Sequence, residues 1–160
     1  MRVGELTSLD VGDVDLDKGD VTLKLKKKRS NRLLFLDNEA VAILHRWLAA
    51  RKNRKGAEDQ ALFISKRGTR LTKISVEVLI EKHAGRLGLH NPEANRLEDR
   101  FTPHCCRHWF TTHLIRAGMP RDFVKELRGD VRHEAIDIYN HIDKKELRES
   151  YLAHIPQLGI

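Results

Sequence analysis

The chain has 160 residues and 18.5 kDa, room for one well-buried domain, because two would each lack an adequate core. Forty per cent hydrophobic residues beside 33% charged ones, at a mean hydropathy of −0.52, argue against disorder, and no apolar stretch reaches the roughly 20 residues that cross a bilayer. Thirty lysines and arginines against 23 acids leave a charge of +7 and a pI near 9.6, the balance of a polyanion binder, so nucleic acid leads the expected partners.

The segment Asp13 to Leu36 carries apolar residues at strand spacing: Val14 and Leu16, then Val21, Leu23 and Leu25, then Leu33 to Leu36. Asp17-Lys18-Gly19-Asp20 and Lys28-Arg29-Ser30-Asn31 divide it as turns, which predicts a three-stranded antiparallel meander. Beyond Asp37 or Asn38 as N-cap, Ala40, Ile43, Leu44, Trp47 and Leu48 follow a helical period, ended by the basic stretch Arg51 to Lys55. Leu62-Phe63-Ile64 reads as a short buried piece. Ser75 to Leu87 is again amphipathic and stopped by Gly88, and residues 90–101 read as a surface loop. Pro103 suits the first turn of a helix carrying His104 to Ala117, which Gly118 stops. Pro120 opens another helix through Leu127, broken at Gly129. Further helices are expected over 133–141, carrying Tyr139, and over 144–153, with Leu147 and Tyr151 on one face.

His104 and Arg107 stand three residues apart, which puts both side chains on one helical face about 5–6 Å apart at Cβ, within reach of a shared phosphate. His104, Cys105, Cys106 and His108 also suggest zinc, yet consecutive helical residues diverge by about 100° and do not converge on one ion. Neighbouring Cys105 and Cys106 do not bridge one another and read as free thiols. The opening residues, MRVGELTSLD, lack the apolar stretch of a secretory leader, so a cytoplasmic protein without membrane contact is expected. Arg128-Gly129-Asp130 spells an adhesion tripeptide, a coincidence in that setting.

The ordered set is Arg2-Val3-Gly4-Glu5-Leu6, a lysine-rich hairpin followed by Arg32-Leu33-Leu34-Phe35-Leu36, Thr102-Pro103-His104-Cys105-Cys106-Arg107-His108, Leu127-Arg128-Gly129 and Tyr139. Nearly the whole chain thereby resembles the catalytic domain of the tyrosine recombinase, or phage integrase, family. The resemblance implies a mixed, mainly helical domain with a small antiparallel sheet on one flank of a helical body. It implies that Arg2 and Arg107 grip a scissile phosphate with His104 beside them. Tyr139 would attack the phosphorus, leaving a 3′-phosphotyrosyl link and a free 5′-hydroxyl.

In the family's usual arrangement a lysine stands five residues before the arginine matched by Arg32, so the resemblance implies Lys27 as general acid to the leaving oxygen, with Lys26 and Lys28 as alternatives. The run including Lys26, Lys28 and Arg29, with Arg32, is expected on DNA backbone. Nine residues before Tyr139 the family usually has His or Trp. Asp130 stands there instead, so either Asp130 fills that position or His133 supplies the imidazole.

The chemistry implied needs no metal or nucleotide cofactor. The implied partner is double-stranded DNA, bound as a tetramer on paired sites, with a monomer allowed without DNA and the segment from Lys144 to Ile160 docking on a neighbour. The family places a helix and a separate DNA-gripping domain ahead of Arg2, so residues 1–160 read as a catalytic-domain fragment, weak in cleavage by itself. Two other readings stay open: a catalytically silent DNA-binding remnant of the same fold, and an unrelated basic helix-turn-helix-like regulator.

Overall fold

The computed structural model describes residues 1–24, 32–94, 96, 100–130 and 142–160; the expected turn Lys28 to Asn31 and the expected helix over 133–141 lie outside them. Helix α1 (Val3–Ser8) runs through a 3-10 turn, Val11–Asp13, into strands β1 (Val14–Asp15), β2 (Asp20–Leu23) and β3 (Arg32–Phe35). They form the expected antiparallel sheet in the order β1-β2-β3. Gly19 turns the first hairpin at φ 65°, the left-handed region, where a Cβ would press on the Leu36 carbonyl oxygen at 3.1 Å. The register pairs Val21 with Leu34 and Leu23 with Arg32. Directly opposed residues share a face, so the parity that buries Val21, Leu23 and Leu34 also buries Arg32.

The helices start where their caps allow. For α2 (Asn38–Lys52) the Asp37 carboxylate accepts the Ala40 amide at 2.9 Å, and for α3 (Lys73–Arg86) the Thr72 hydroxyl accepts the Ser75 amide at 3.1 Å. Helix α4 (Pro103–Arg116) opens on Pro103, whose missing N–H has no intrahelical partner to lose. Helix α5 (Arg121–Arg128) closes on Gly129, and α6 (Lys144–His154) starts under Asp143, whose carboxylate accepts two amides. Arg51, inside the stretch expected to end α2, turns inward: its guanidinium donates to the carbonyls of Ala57 at 2.8 Å and Ala61 at 2.8 Å, satisfying a loop that has no ladder of its own.

The core joins Val21, Leu23 and Phe35 of the sheet to Leu114 of α4, Val124 and Leu127 of α5, and Leu147 and Tyr151 of α6. Phe35 and Phe110 flank Tyr151 with ring centroids 6.1 and 6.2 Å away. The Leu147 and Tyr151 face of α6 is therefore packed within its own subunit, which argues against its exchange with a neighbour in this state. Helix α3 forms as expected, but its apolar residues divide. Val76 and Ala84 are buried, while Ile74, Val78 and Leu79 stand exposed, because α3 packs on α1 and α4 along one side only. No helix among the described residues is long and apolar enough to cross a membrane.

Candidate active site

Three helix ends bring three arginines together. Arg2 caps α1, Arg107 lies in the second turn of α4 and Arg128 ends α5. The Arg128 carbonyl accepts from Arg107 Nη2 at 3.0 Å and from Arg2 Nη1 at 3.5 Å. A terminal carbonyl of this kind carries the negative end of the helix dipole, so it draws guanidinium groups to the C-terminus of α5. One oxygen of Asp130 stands 3.5 Å from Arg2 Nη2 and 3.5 Å from Arg107 Nη2, and the other stands 2.9 Å from Arg128 Nε. That last contact is between charges only, since Arg128 Nε donates no hydrogen bond. Burial and the charges of Arg2 and Arg128 push the Arg107 pKa below its ordinary value, and Asp130 and Glu5 push it back up. A guanidinium still stays charged.

A cleft of about 330 Å³ opens over this cluster, walled by Arg2, Thr102, His104, Arg107 and Glu77. It brings together three of the residues expected to share a phosphate. A second cavity, of about 400 Å³, shares Arg2 and Arg107, adds Arg128, and is lined mostly by apolar residues such as Leu6, Ile80, Phe110 and Leu114. The smaller cleft is the more polar of the two, because Thr102, His104 and Glu77 line it beside Arg2 and Arg107.

Arg32 was expected on DNA backbone. It lies instead inside the protein, 5% exposed, with Nη2 on Glu5 Oε1 at 2.8 Å. The reason is register: its strand parity is that of the core. Glu5 also accepts the Arg2 amide at 2.6 Å and stands 3.5 Å from Arg2 Nη1, so one carboxylate ties α1 to β3 and orients the first arginine of the cleft. Burial pushes the Glu5 pKa up, but the Arg2 amide and the Arg32 charge outweigh it and hold the carboxyl below its usual value. A carboxyl depressed on folding contributes stability that is present above its unfolded pKa and is lost as pH falls through the folded one. Glu5→Gln is therefore expected to lower stability at pH 7 by about 2–4 kcal/mol, leaving Arg32 buried without its anion, and to flatten the acid limb below about pH 4.5. Urea titrations from pH 3 to pH 7 check this; an unchanged pH profile would remove Glu5 from that role.

His104 Nε2 lies 2.8 Å from His108 Nε2, with the rings edge to face at 4.4 Å. One ring must accept, so at least one imidazole is neutral when the bond forms. Both rings are exposed. The two free cysteines sit beside them, and among the described residues no group of three or more His, Cys, Asp or Glu side chains is placed to hold a metal. Lys26, Lys27, Lys28, Arg29, His133 and Tyr139 lie outside the described residues. Tyr151 is 9% exposed and burial pushes its phenol well above its ordinary pKa, the opposite of what a nucleophile needs.

Two contributors escaped sequence reasoning. Glu5 was visible as the acid three residues after Arg2, a helical neighbour. Arg128 was visible only as part of a turn motif, because nothing local shows that its carbonyl meets Arg2 and Arg107.

A match to the phage integrase family runs over residues 1–146, past Tyr139. Tyrosine recombinase XerC of Actinobacillus pleuropneumoniae serotype 7 is 35% identical over 157 residues, covering 98% of this chain and 48% of the relative. XerC of Haemophilus ducreyi is 36% identical over the same shares. The chain thus spans about half the length of the curated relatives it matches. Among solved structures, the XerA recombinase superposes with a TM-score of 0.72 at 29% identity, over 98% of this chain and 54% of that one. The XerH site-specific recombinase bound to its difH substrate gives 0.67 at 25% identity, over 94% and 42%. A helix-turn-helix regulator is thereby set aside: the helical body, its flanking sheet and the matched sequence place the chain in the phage integrase family.

Proposed function

We propose that the chain is the catalytic domain of a site-specific recombinase that cuts and rejoins double-stranded DNA through Tyr139. The observation that carries this is the convergence of Arg2 and Arg107 at one cleft wall with His104, both arginines held by the Arg128 carbonyl. Guanidinium forks match the non-bridging oxygens of a phosphodiester and stabilise the added charge of a five-coordinate phosphorus. The Tyr139 phenol releases its proton to solvent, and its oxygen bonds to phosphorus as the bond to the 5′-oxygen breaks. The product is a 3′-phosphotyrosyl link, and the 5′-oxygen takes a proton from Lys27. The reverse attack reseals the strand with no external energy source. Lys26, Lys28 and Arg29 are assigned to the DNA backbone, and paired sites held by four protomers complete the reaction. A similar protein supports DNA as partner, since the XerH recombinase is bound to its difH substrate in a pre-cleavage complex.

The choice of Tyr139 is supported by the only other tyrosine, Tyr151, being enclosed between two phenylalanines. A pool of nicked duplexes with randomised sequence, which traps the attached strand by losing the 5′ fragment, tests the reading. Denaturing gels should show covalent protein–DNA adduct, lost in Tyr139→Phe and kept in Tyr151→Phe. Adduct that persists without Tyr139 would make the nucleophile wrong. A second reading, a DNA-binding domain that does not cleave, is favoured by one observation, the Asp130 carboxylate lying against the arginines. It predicts duplex binding with no adduct from any variant.

A further inference from the structure

We propose that Asp130 is a built-in counter-anion of the arginine cluster, held where a DNA phosphate oxygen binds and displaced by that phosphate. The inference rests on the phosphate-binding reading of the cleft. A single oxygen, Asp130 Oδ1, lies between Arg2 Nη2 and Arg107 Nη2 at 3.5 Å from each, as a non-bridging phosphate oxygen shared by two guanidiniums does. Three guanidiniums face this one carboxylate. Burial first, and then the charges of Arg2 and Arg128, lower the pKa of Arg107, and Asp130 opposes them. Among the described acids, Glu5 is already committed to Arg32 and the Arg2 amide.

The contacts are those of a placeholder. Charge-assisted N–H···O bonds close to about 2.7–2.9 Å, whereas both Asp130 Oδ1 contacts stay at 3.5 Å and the approach to Arg128 Nε lacks hydrogen-bond direction. A phosphodiester brings two non-bridging oxygens, enough to engage both arginines at short range, so exchange gains better-formed bonds. The backbone holds still meanwhile. The Gly129 and Asp130 amides donate to the Glu126 and Lys125 carbonyls at 3.1 and 3.2 Å, closing α5, so only the Asp130 side chain has to rotate, and it is one-third exposed. The carboxylate thus keeps like charges together without DNA and sets a threshold that weakly held anions do not pass.

Isothermal titration of the 160-residue chain with inorganic phosphate tests this. Asp130→Asn, which keeps shape and removes charge, is expected to bind phosphate about three- to tenfold more tightly than the wild type, the size expected for one partly exposed competing charge. Arg107→Ala should abolish binding in both backgrounds. For duplex DNA, the slope of log affinity against log salt should steepen by about 0.9 in Asp130→Asn, one more counterion released. Phosphate affinity that is equal or weaker in Asp130→Asn would show that Asp130 organises the cluster and does not compete for it, overturning the proposal. Asp130→Ser is read the same way, and failure of both variants to fold, seen as loss of the thermal transition, would likewise overturn it by making Asp130 a structural residue. Tighter phosphate binding with no covalent adduct from wild type or variant sinks strand cleavage and leaves the counter-anion standing. Adduct from the wild type with unchanged phosphate affinity does the reverse.

Discussion

Replacing Arg107 with alanine is expected to slow covalent attachment to DNA by about a thousandfold or more, while duplex affinity falls by less than about tenfold. The asymmetry follows from where the guanidinium sits. Its side chain is 10% exposed, anchored to the Arg128 carbonyl at 3.0 Å and fixed at the cleft wall. A charge held rigidly in a partly desolvated site acts most strongly on charge that develops during the reaction, and it needs no reorganisation at that moment. Ground-state binding is spread over many phosphate contacts, so losing one changes it modestly. Arg107→Lys is expected to recover little, because an ammonium cannot reach the Arg128 carbonyl and a phosphate oxygen in one planar fork. Arg2, whose side chain is 39% exposed, should show a smaller loss. Rates of adduct formation on the nicked duplex pool decide the matter. An Arg107→Ala protein that attaches at near wild-type rate would take this residue out of the reaction.

Gly129→Ala should cost about 3–5 kcal/mol of stability. Gly129 caps α5 at φ 64°, and an L-residue pays about 1–2 kcal/mol to adopt that conformation. The larger part comes from space. A Cβ at this position would overlap the guanidinium of Arg32, which is buried and bound to Glu5 at 2.8 Å. Expelling it separates a buried ion pair and disturbs the carboxylate that orients Arg2. The expected signature is non-additivity. In an Arg32→Ala background the Gly129→Ala penalty should fall to the conformational part alone. Denaturant melts of the four proteins give the coupling, and equal penalties in both backgrounds would show that crowding against Arg32 is not the cause.

Much of the fold is legible in the chain because it depends on neighbours within a few residues. Gly19 permits the first hairpin, Asp37 caps α2, Pro103 starts α4, and Gly118 and Gly129 stop their helices; each is a matter of local dihedrals or an i to i+3 hydrogen bond. The alternation Val21, Leu23 announces a one-sided strand. Arg32 could have been read from the same rule, two residues before Leu34 and so on its face, but a basic run beside it suggested DNA and masked the parity.

By itself the sequence determined the meander, the described helices with their stops and the resemblance to a family pattern at Arg2, His104, Arg107 and Tyr139, all carried by spacing. Only the tertiary structure decided which charges meet. Asp130 touches Arg2 across 128 residues and Arg107 across 23, and Arg32 reaches Glu5 across 27. These pairings follow from the packing of α5 on β3 and α4, and of α3 on α1 and α4. No local period encodes that packing, because Coulomb attraction depends on final distance and burial, not on separation along the chain.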